Sequence, residues 1–170
     1  MNVLVATDGA MDIDRAADFA CALAGEDGST VVVTVVRIPR RLVPELRAQY
    51  GDQPPVAVDS DAEYVGSPTG PATFERSYPG DDAMVDRYLG DKRAELCKPI
   101  VEAIRLRGGT AKAKVVEGDD VEDGILDMAE ARGIDVIVVG SRGGSSFGGL
   151  LGSTSAKVVR RSPVSVMVLR

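Results

Sequence analysis

Hydrophobic and polar positions along this chain change rhythm several times, and each change marks an element. Val3 to Thr7 is a short, almost wholly apolar run. Such runs suit strands buried on both faces, as in parallel sheets. Asp8-Gly9 breaks it. Ile13, Ala16, Ala17, Ala20, Leu23 and Ala24 then recur at the spacing of one helix face. Asp12 can cap that helix and Gly25 can end it. Val31 to Ile38 is rich in β-branched residues and predicts a second buried strand.

From Pro39 to Asp82 the rhythm dissolves. Seven of the nine prolines fall here: Pro39, Pro44, Pro54, Pro55, Pro68, Pro71 and Pro79. Eight acidic and four basic side chains give the stretch −4 of the net −6. The pattern predicts a long loop or insertion, either a tolerated surface excursion or a lid or partner surface built on Tyr50, Tyr64, Phe74 and Tyr78.

Helical spacing returns with Val85, Leu89, Leu96, Ile100 and Ile104. One helix is expected over roughly Ala83 to Arg107, kinked at Pro99 and stopped by Gly108-Gly109. Ala111, Ala113 and Val115 alternate with Lys112, Lys114 and Val116, a strand with one wetter face near a sheet edge. Asp120 can cap a helix carrying Val121, Ile125, Met128 and Ala129, which Gly133 ends. Ile134 to Val139 reads as a fourth strand, Gly140 to Gly152 as a Gly/Ser-rich loop, Ser153 to Arg161 as a short helix and Val164 to Leu169 as a last strand. Lys157, Arg160 and Arg161 suit the negative end of that helix's dipole. Strict alternation of strand and helix predicts an α/β fold with a parallel sheet and right-handed crossovers.

Composition narrows the function. The 170 residues fit one domain over 1–170, with the excursion at about 39–82 inside it. A chain of this length buries roughly 70% of its unfolded surface and needs no staple. The excess of 26 acidic over 20 basic residues argues against a nucleic-acid partner. The chain has no histidine, which removes Ser-His-Asp triads, Cys-His pairs and His-ligated zinc. Cys21 and Cys97 have no CxxC spacing and read as reduced packing residues. The N-terminal run lacks a basic leader and ends at Asp8, and no segment approaches a membrane span, so a cytoplasmic location is expected.

In an open parallel sheet, ligands bind beyond the carboxyl ends of the strands, where the winding reverses. The richest such end is Gly140 to Gly152, with six glycines in thirteen positions. Glycine allows tight turns and close approach to a ligand. Gly152-Ser153-Thr154 then opens a helix whose N–H groups and dipole suit phosphate, with hydroxyls on Ser153, Thr154 and Ser155. The same residues also fit a flexible loop in which Ser153 merely caps the helix. Neither GxxxxGK[ST] nor a GxGxxG after the first strand occurs, which excludes a P-loop NTPase and disfavours a dinucleotide site.

Gly140-x-x-Gly143, a spacer and Gly152-Ser153 resemble the nucleotide motif of the universal stress protein family. The opening Val3-Leu4-Val5-Ala6-Thr7-Asp8-Gly9 and the closing Ser162-Pro163-Val164-Ser165-Val166-Met167-Val168-Leu169 are similar to that family's first and last strands. The resemblance spans the chain apart from Pro39–Asp82. It implies a Rossmann-like, open five-stranded parallel sheet of order 3-2-1-4-5 with helices on both faces. It also implies a stress-response protein that binds ATP, AMP or another adenine nucleotide, with or without Mg²⁺. Ala6, Thr7 and Asp8 would then meet the adenosine end, and Val35 would line the adenine slot. Val139 and Gly140 would pass under the ribose and first phosphate. Ser141, Arg142, Gly143, Gly152, Ser153, Thr154 and Ser155 would complete the phosphate loop. One departure is visible: the family's nine-residue spacer is here eight residues, Gly144 to Leu151.

A catalytic set is harder to find. Asp8 and Asp119 are candidate metal or water ligands and Arg142 a candidate phosphate contact, yet each also suits a capping or solvated role. The expectation is a binding and signalling module with at most slow ATP hydrolysis. The apolar last strand, 164–169, is expected at a sheet edge, and the resemblance implies a homodimer through it. Two other readings remain: an interaction protein of the same fold that docks a partner through 39–82, and an enzyme of a related adenine-binding α/β class that cleaves or adenylylates a substrate. The absence of histidine and of an SGGxDS-type loop weighs against the second of these.

Overall fold

In the computed structural model, which describes residues 1–38, 43–50, 81–141 and 151–170, five strands form one parallel sheet. The elements run β1 (Asn2–Ala6), α1 (Ile13–Ala24), β2 (Ser29–Val36), α2 (Val43–Tyr50), α3 (Asp81–Leu96), α4 (Lys98–Leu106), β3 (Ala111–Glu117), α5 (Val121–Ala131), β4 (Val136–Gly140), α6 (Ser153–Arg161) and β5 (Ser165–Leu169). The strand order is β3-β2-β1-β4-β5, as the resemblance implied. Central register pairs are Val5 with Val32 and with Val138, and Val138 with Met167. The central strands are apolar on both faces because both faces are covered. Val3, Val5, Val32 and Val138 face a core with α1 and α4, while Leu4, Val33, Ile137 and Val139 face one with α5 and α6.

Local chemistry accounts for most element ends. Asp12 Oδ1 accepts the Arg15 N–H at 2.9 Å and starts α1. Four alanines, Ala16, Ala17, Ala20 and Ala24, form its buried face, so the helix lies close to the sheet. Gly25, at φ +67°, ends it in a conformation that costs other residues more. Arg107 at the end of α4 ties it to α1, donating to Asp14 at 2.8 Å and Asp18 at 2.6 Å. Burial pushes the Cys97 thiol up to about 12, and its Sγ donates to Lys114 O at 3.5 Å.

Several expectations need correction. The stretch 39–82 is not structureless throughout, for it contains α2 and the start of α3. Leu46 of α2 is 2% exposed and packs with Val36, Met84, Val85 and Leu89. Pro44 reads as a breaker, but a first helical turn has no intrahelical use for the N–H that proline lacks. The single helix over 83–107 is two helices. Pro99 sits in the first turn of α4, where its ring removes the bond to Glu95 O and ends α3 at Leu96. Asp120 occupies the N-cap of α5 without a side-chain capping bond; its carbonyl accepts the Gly124 N–H at 3.1 Å. Lys114, expected on a wetter face, is only 5% exposed. Residues 51–80, including Tyr64, Phe74 and Tyr78, lie outside the described residues.

Candidate functional site

The chain winds outward from β1 to β3 and then returns to β4, so β1 and β4 are neighbours at the reversal of winding. That puts the ends of these two strands side by side, with Ala6 opposite Val139. Crevices of this kind take ligands in open α/β sheets.

Thr7 and Asp8 follow β1 directly. The Thr7 N–H donates to Val33 O at 2.9 Å, so the chain stays on the sheet for one residue past the strand. The Thr7 hydroxyl, in a buried residue, accepts the Gly9 N–H at 3.0 Å, and Asp8 Oδ1 accepts the Ala10 N–H at 3.0 Å. Both bonds shape a turn that needs Gly9 at φ +88°. A Cβ on Gly9 would also lie 2.8 Å from Leu96 Cδ2. The turn leaves the Asp8 side chain exposed beyond the sheet end.

Gly140 ends β4, and Ser141 follows it. The Ser141 N–H donates to Leu169 O at 2.6 Å, and Ser141 O accepts the Gly152 N–H at 3.0 Å. The two ends of the glycine-rich loop therefore meet. Arg142 and Gly143 lie outside the described residues, as does most of the spacer.

Gly152 is the N-cap of α6, at φ −55° and ψ 150°, and Ser153 is the first helical residue. The first bond of the ladder runs from the Ala156 N–H to Gly152 O at 2.8 Å. The amides of Ser153, Thr154 and Ser155 precede that ladder and point out of the helix start. Ser155 is buried and its hydroxyl donates to Gly140 O at 2.6 Å. Its side chain is thus a strut that presses the start of α6 against the end of β4. What it brings toward a ligand is its backbone N–H. Ser153 is exposed and Thr154 half-buried, with their hydroxyls on the first turn.

Val35 stands one strand further out, near the end of β2 and two residues past Val33, the register partner of Ala6. It is half-buried against α5. A Cβ on Gly124 would lie 3.0 Å from both Val35 methyls, so glycine there lets α5 approach β2 closely. At the outer rim, Arg37 Nε and Asp119 Oδ1 are 3.9 Å apart and both are exposed. The structure brings together Ala6, Thr7, Asp8, Val139, Gly140, Ser141, Gly152, Ser153, Thr154 and Ser155, with Val35 one strand away.

One part of this region is not legible in the sequence. Lys157 and Arg161 read as cations placed for the α6 dipole. They instead cross to the first turn of α5. Lys157 Nζ pairs with Glu122 Oε1, and Arg161 Nη1 lies 2.6 Å from Asp123 Oδ1. Glu122 is 7% exposed. The Lys157 ammonium, bonded to it, holds its carboxyl below the usual carboxylate range. The four-residue spacing of Lys157 and Arg161 was visible, but no local pattern identifies which helix faces them.

Fold and strand order together define an α/β protein with a crevice at the reversal of its sheet, between the ends of β1 and β4. Comparison gives the family. A profile of the universal stress protein family matches residues 1–170, and the chain belongs to that family. It is 30% identical over 93 residues to universal stress protein G of Shigella flexneri, a match covering 55% of this chain and 65% of that relative's length. The universal stress protein from Archaeoglobus fulgidus has the same fold, with a TM-score of 0.59 and 20% identity over 100% of this chain and 98% of that one. A universal stress protein solved in complex with cAMP gives a TM-score of 0.51 at 20% identity, over 100% and 96%. An A. fulgidus universal stress protein in complex with dAMP gives 0.50 at 19%, over 100% and 98%.

Proposed function

We propose that the crevice between β1, β4 and the start of α6 binds an adenine nucleotide, ATP first among them, and that the protein works as a nucleotide-dependent stress-response module. One observation carries this reading. The Ser155–Gly140 and Gly152–Ser141 bonds hold three helix-start amides at the end of β4, next to the exposed Asp8. Backbone amides and a helix dipole hold phosphate without a basic side chain, which suits an acidic protein. Solved relatives in complex with cAMP and dAMP support the adenine class.

On this reading Ser153, Thr154 and Ser155 hold phosphate through amides, with hydroxyls from Ser153 and Thr154. Gly140, Ser141, Arg142, Gly143 and Gly152 close the loop around it. Asp8, with Ala6 and Thr7, meets the adenosine, and Val35 and Val139 supply apolar walls. Mg²⁺, when bound with the nucleotide, would offset phosphate charge. Asp8 suits it better than Asp119, because Asp119 already faces Arg37. Among the described residues, no set for an oriented attacking water stands out in the crevice, and on this reading hydrolysis is at most slow. The chain functions as one domain over 1–170 in the cytoplasm, where two free thiols are stable. It dimerises through 164–169, because β5 is a sheet edge and Val164, Val166 and Val168 are only partly buried. Sedimentation at micromolar concentration would show the dimer, and a monomer alone would remove that part.

The test is calorimetric titration of ligand-free protein with ATP·Mg²⁺, beside the Gly152→Asp variant. The dihedrals of Gly152 suit a non-glycine residue, and Asp is a favoured N-cap, so α6 survives. Its carboxylate would repel phosphate. Saturable binding in the wild type, weakened at least about tenfold in the variant, supports the reading. Absence of heat and of co-purified nucleotide would move the function to partner docking through 39–82.

A further inference from the structure

We infer that Lys157, acting through buried Glu122, is the positioning residue that holds the first turn of α6 against β4, and so sets the affinity of the nucleotide crevice. The affinity part rests on the function proposed above. The placement part rests on geometry alone.

Helix α6 has few means of anchorage. Its sequence is Ser-Thr-Ser-Ala-Lys-Val-Val-Arg-Arg, and only Val158 is a fully buried apolar side chain. Val159 is 44% exposed. Among the described residues, the remaining ties are the Gly152–Ser141 backbone bond at its start, the Ser155 strut to Gly140 and the two ion pairs to α5. Lys157 and Arg161 are one turn apart, so they share the face toward α5. Their partners, Glu122 and Asp123, sit in the first turn of α5, where the dipole also favours negative charge.

The two pairs are unequal. The Arg161–Asp123 side chains are about half exposed and their contact is not a well-aligned hydrogen bond, although Asp123 Oδ1 itself is buried, so this pair holds α6 less firmly. The Glu122 side chain is 9% exposed, so removal of Lys157 leaves a largely buried carboxylate without its ammonium partner. That carboxylate would draw in water or a proton, and either outcome loosens α6 from α5. Lys157 is two residues beyond Ser155. A small rotation of so short a helix would misplace the Ser155 strut and the three amides beside it. Lys157 thereby acts on the crevice without touching a ligand.

The experiment uses the full chain and the variants Lys157→Met, Lys157→Arg, Glu122→Gln and the Glu122→Gln/Lys157→Met double. Two readouts run in parallel: amide hydrogen exchange mapped over the molecule, and ATP·Mg²⁺ titration. In Lys157→Met, exchange over 156–162 should rise about tenfold while β1 and β4 keep their protection, and ATP should bind about tenfold more weakly. Lys157→Arg should restore both, since it keeps the charge. The double variant should recover part of the loss, since no buried charge is left. Exchange over α6 unchanged in Lys157→Met overturns the placement, whether or not the wild type binds nucleotide. Equal loss of protection in β1, β4 and α6 also overturns it, because Lys157 would then serve global stability. A wild type that binds no ATP overturns the function proposed above and the affinity part with it, while exchange still decides the placement.

Discussion

Helices α1 and α6 flank the same crevice, follow neighbouring strands and are built on opposite principles. Helix α1 presents four buried alanines to the sheet and is capped by an Asp side chain. Its partner α4 adds Ile100, Val101 and Ile104 to the same core. Helix α6 presents one buried valine and one buried serine, and its other ties among the described residues are the Gly152–Ser141 backbone bond and two ion pairs. Apolar contact is non-directional and insensitive to the state of a ligand. Hydrogen bonds and ion pairs are directional, and a bound anion can strengthen or loosen them. If the proposed site holds, the β1 side would serve as its fixed wall and the α6 side as the part whose position depends on directional bonds.

This contrast can be tested from its strongest consequence to its weakest. Ala17→Asp places an unpaired carboxylate where α1 meets the sheet and should cost at least about 3 kcal/mol, seen as loss or collapse of the cooperative urea transition. A variant with near wild-type stability would show that α1 can lift off the sheet, against its role as the wall. Val158→Ala removes the only buried apolar side chain of α6 and should cost about 2 kcal/mol. Hydrogen exchange should locate that loss in α6 before the rest of the sheet. Uniform loss would mean that α6 is no more adjustable than α1. Asp12→Ala deletes the α1 cap and should cost about 1 kcal/mol in denaturant melts, with nucleotide affinity unchanged. An affinity loss comparable to that of Lys157→Met would erase the difference between the two helices.

The smallest effect concerns pH. Glu122 is held below its ordinary value by Lys157, so its contribution is fully present above the unfolded glutamate value of about 4.3. It is lost as pH falls below that value and through the lower folded one. The stability difference between wild type and Glu122→Gln should therefore narrow between neutral pH and about pH 3. A difference independent of pH would show that the pair is not ionic in solution.

How much of this was legible beforehand depended on the range of the interaction. The runs Val3–Thr7 and Ile134–Val139 were readable as buried strands, since burial on both faces leaves no polar alternation. The cap at Asp12 and the stop at Gly25 were equally readable, because caps act within four residues. The split at Pro99 was half readable. Proline announces a disruption, but the sequence does not say whether the chain bends or restarts; in the fold α3 ends at Leu96 and α4 begins at Lys98, with Cys97 buried between them. Helix α2 was missed because eight residues hold too little periodicity, and Leu46 gains its burial from Met84, Val85 and Leu89, almost forty residues away. For the crevice, the glycine motif and Asp8 could be named from the chain. That the Ser155 hydroxyl is directed at Gly140 O could not.

By itself the sequence determined the alternation of strands and helices, the glycine-rich end of the fourth strand and the kinship of the whole. These depend on composition and spacing over a few residues. Tertiary structure alone decided that Lys114 is buried, that Gly124 admits Val35, and that Lys157 meets Glu122 across 35 residues of chain. The physical reason is that a charge or a missing Cβ has no meaning until packing gives it a neighbour.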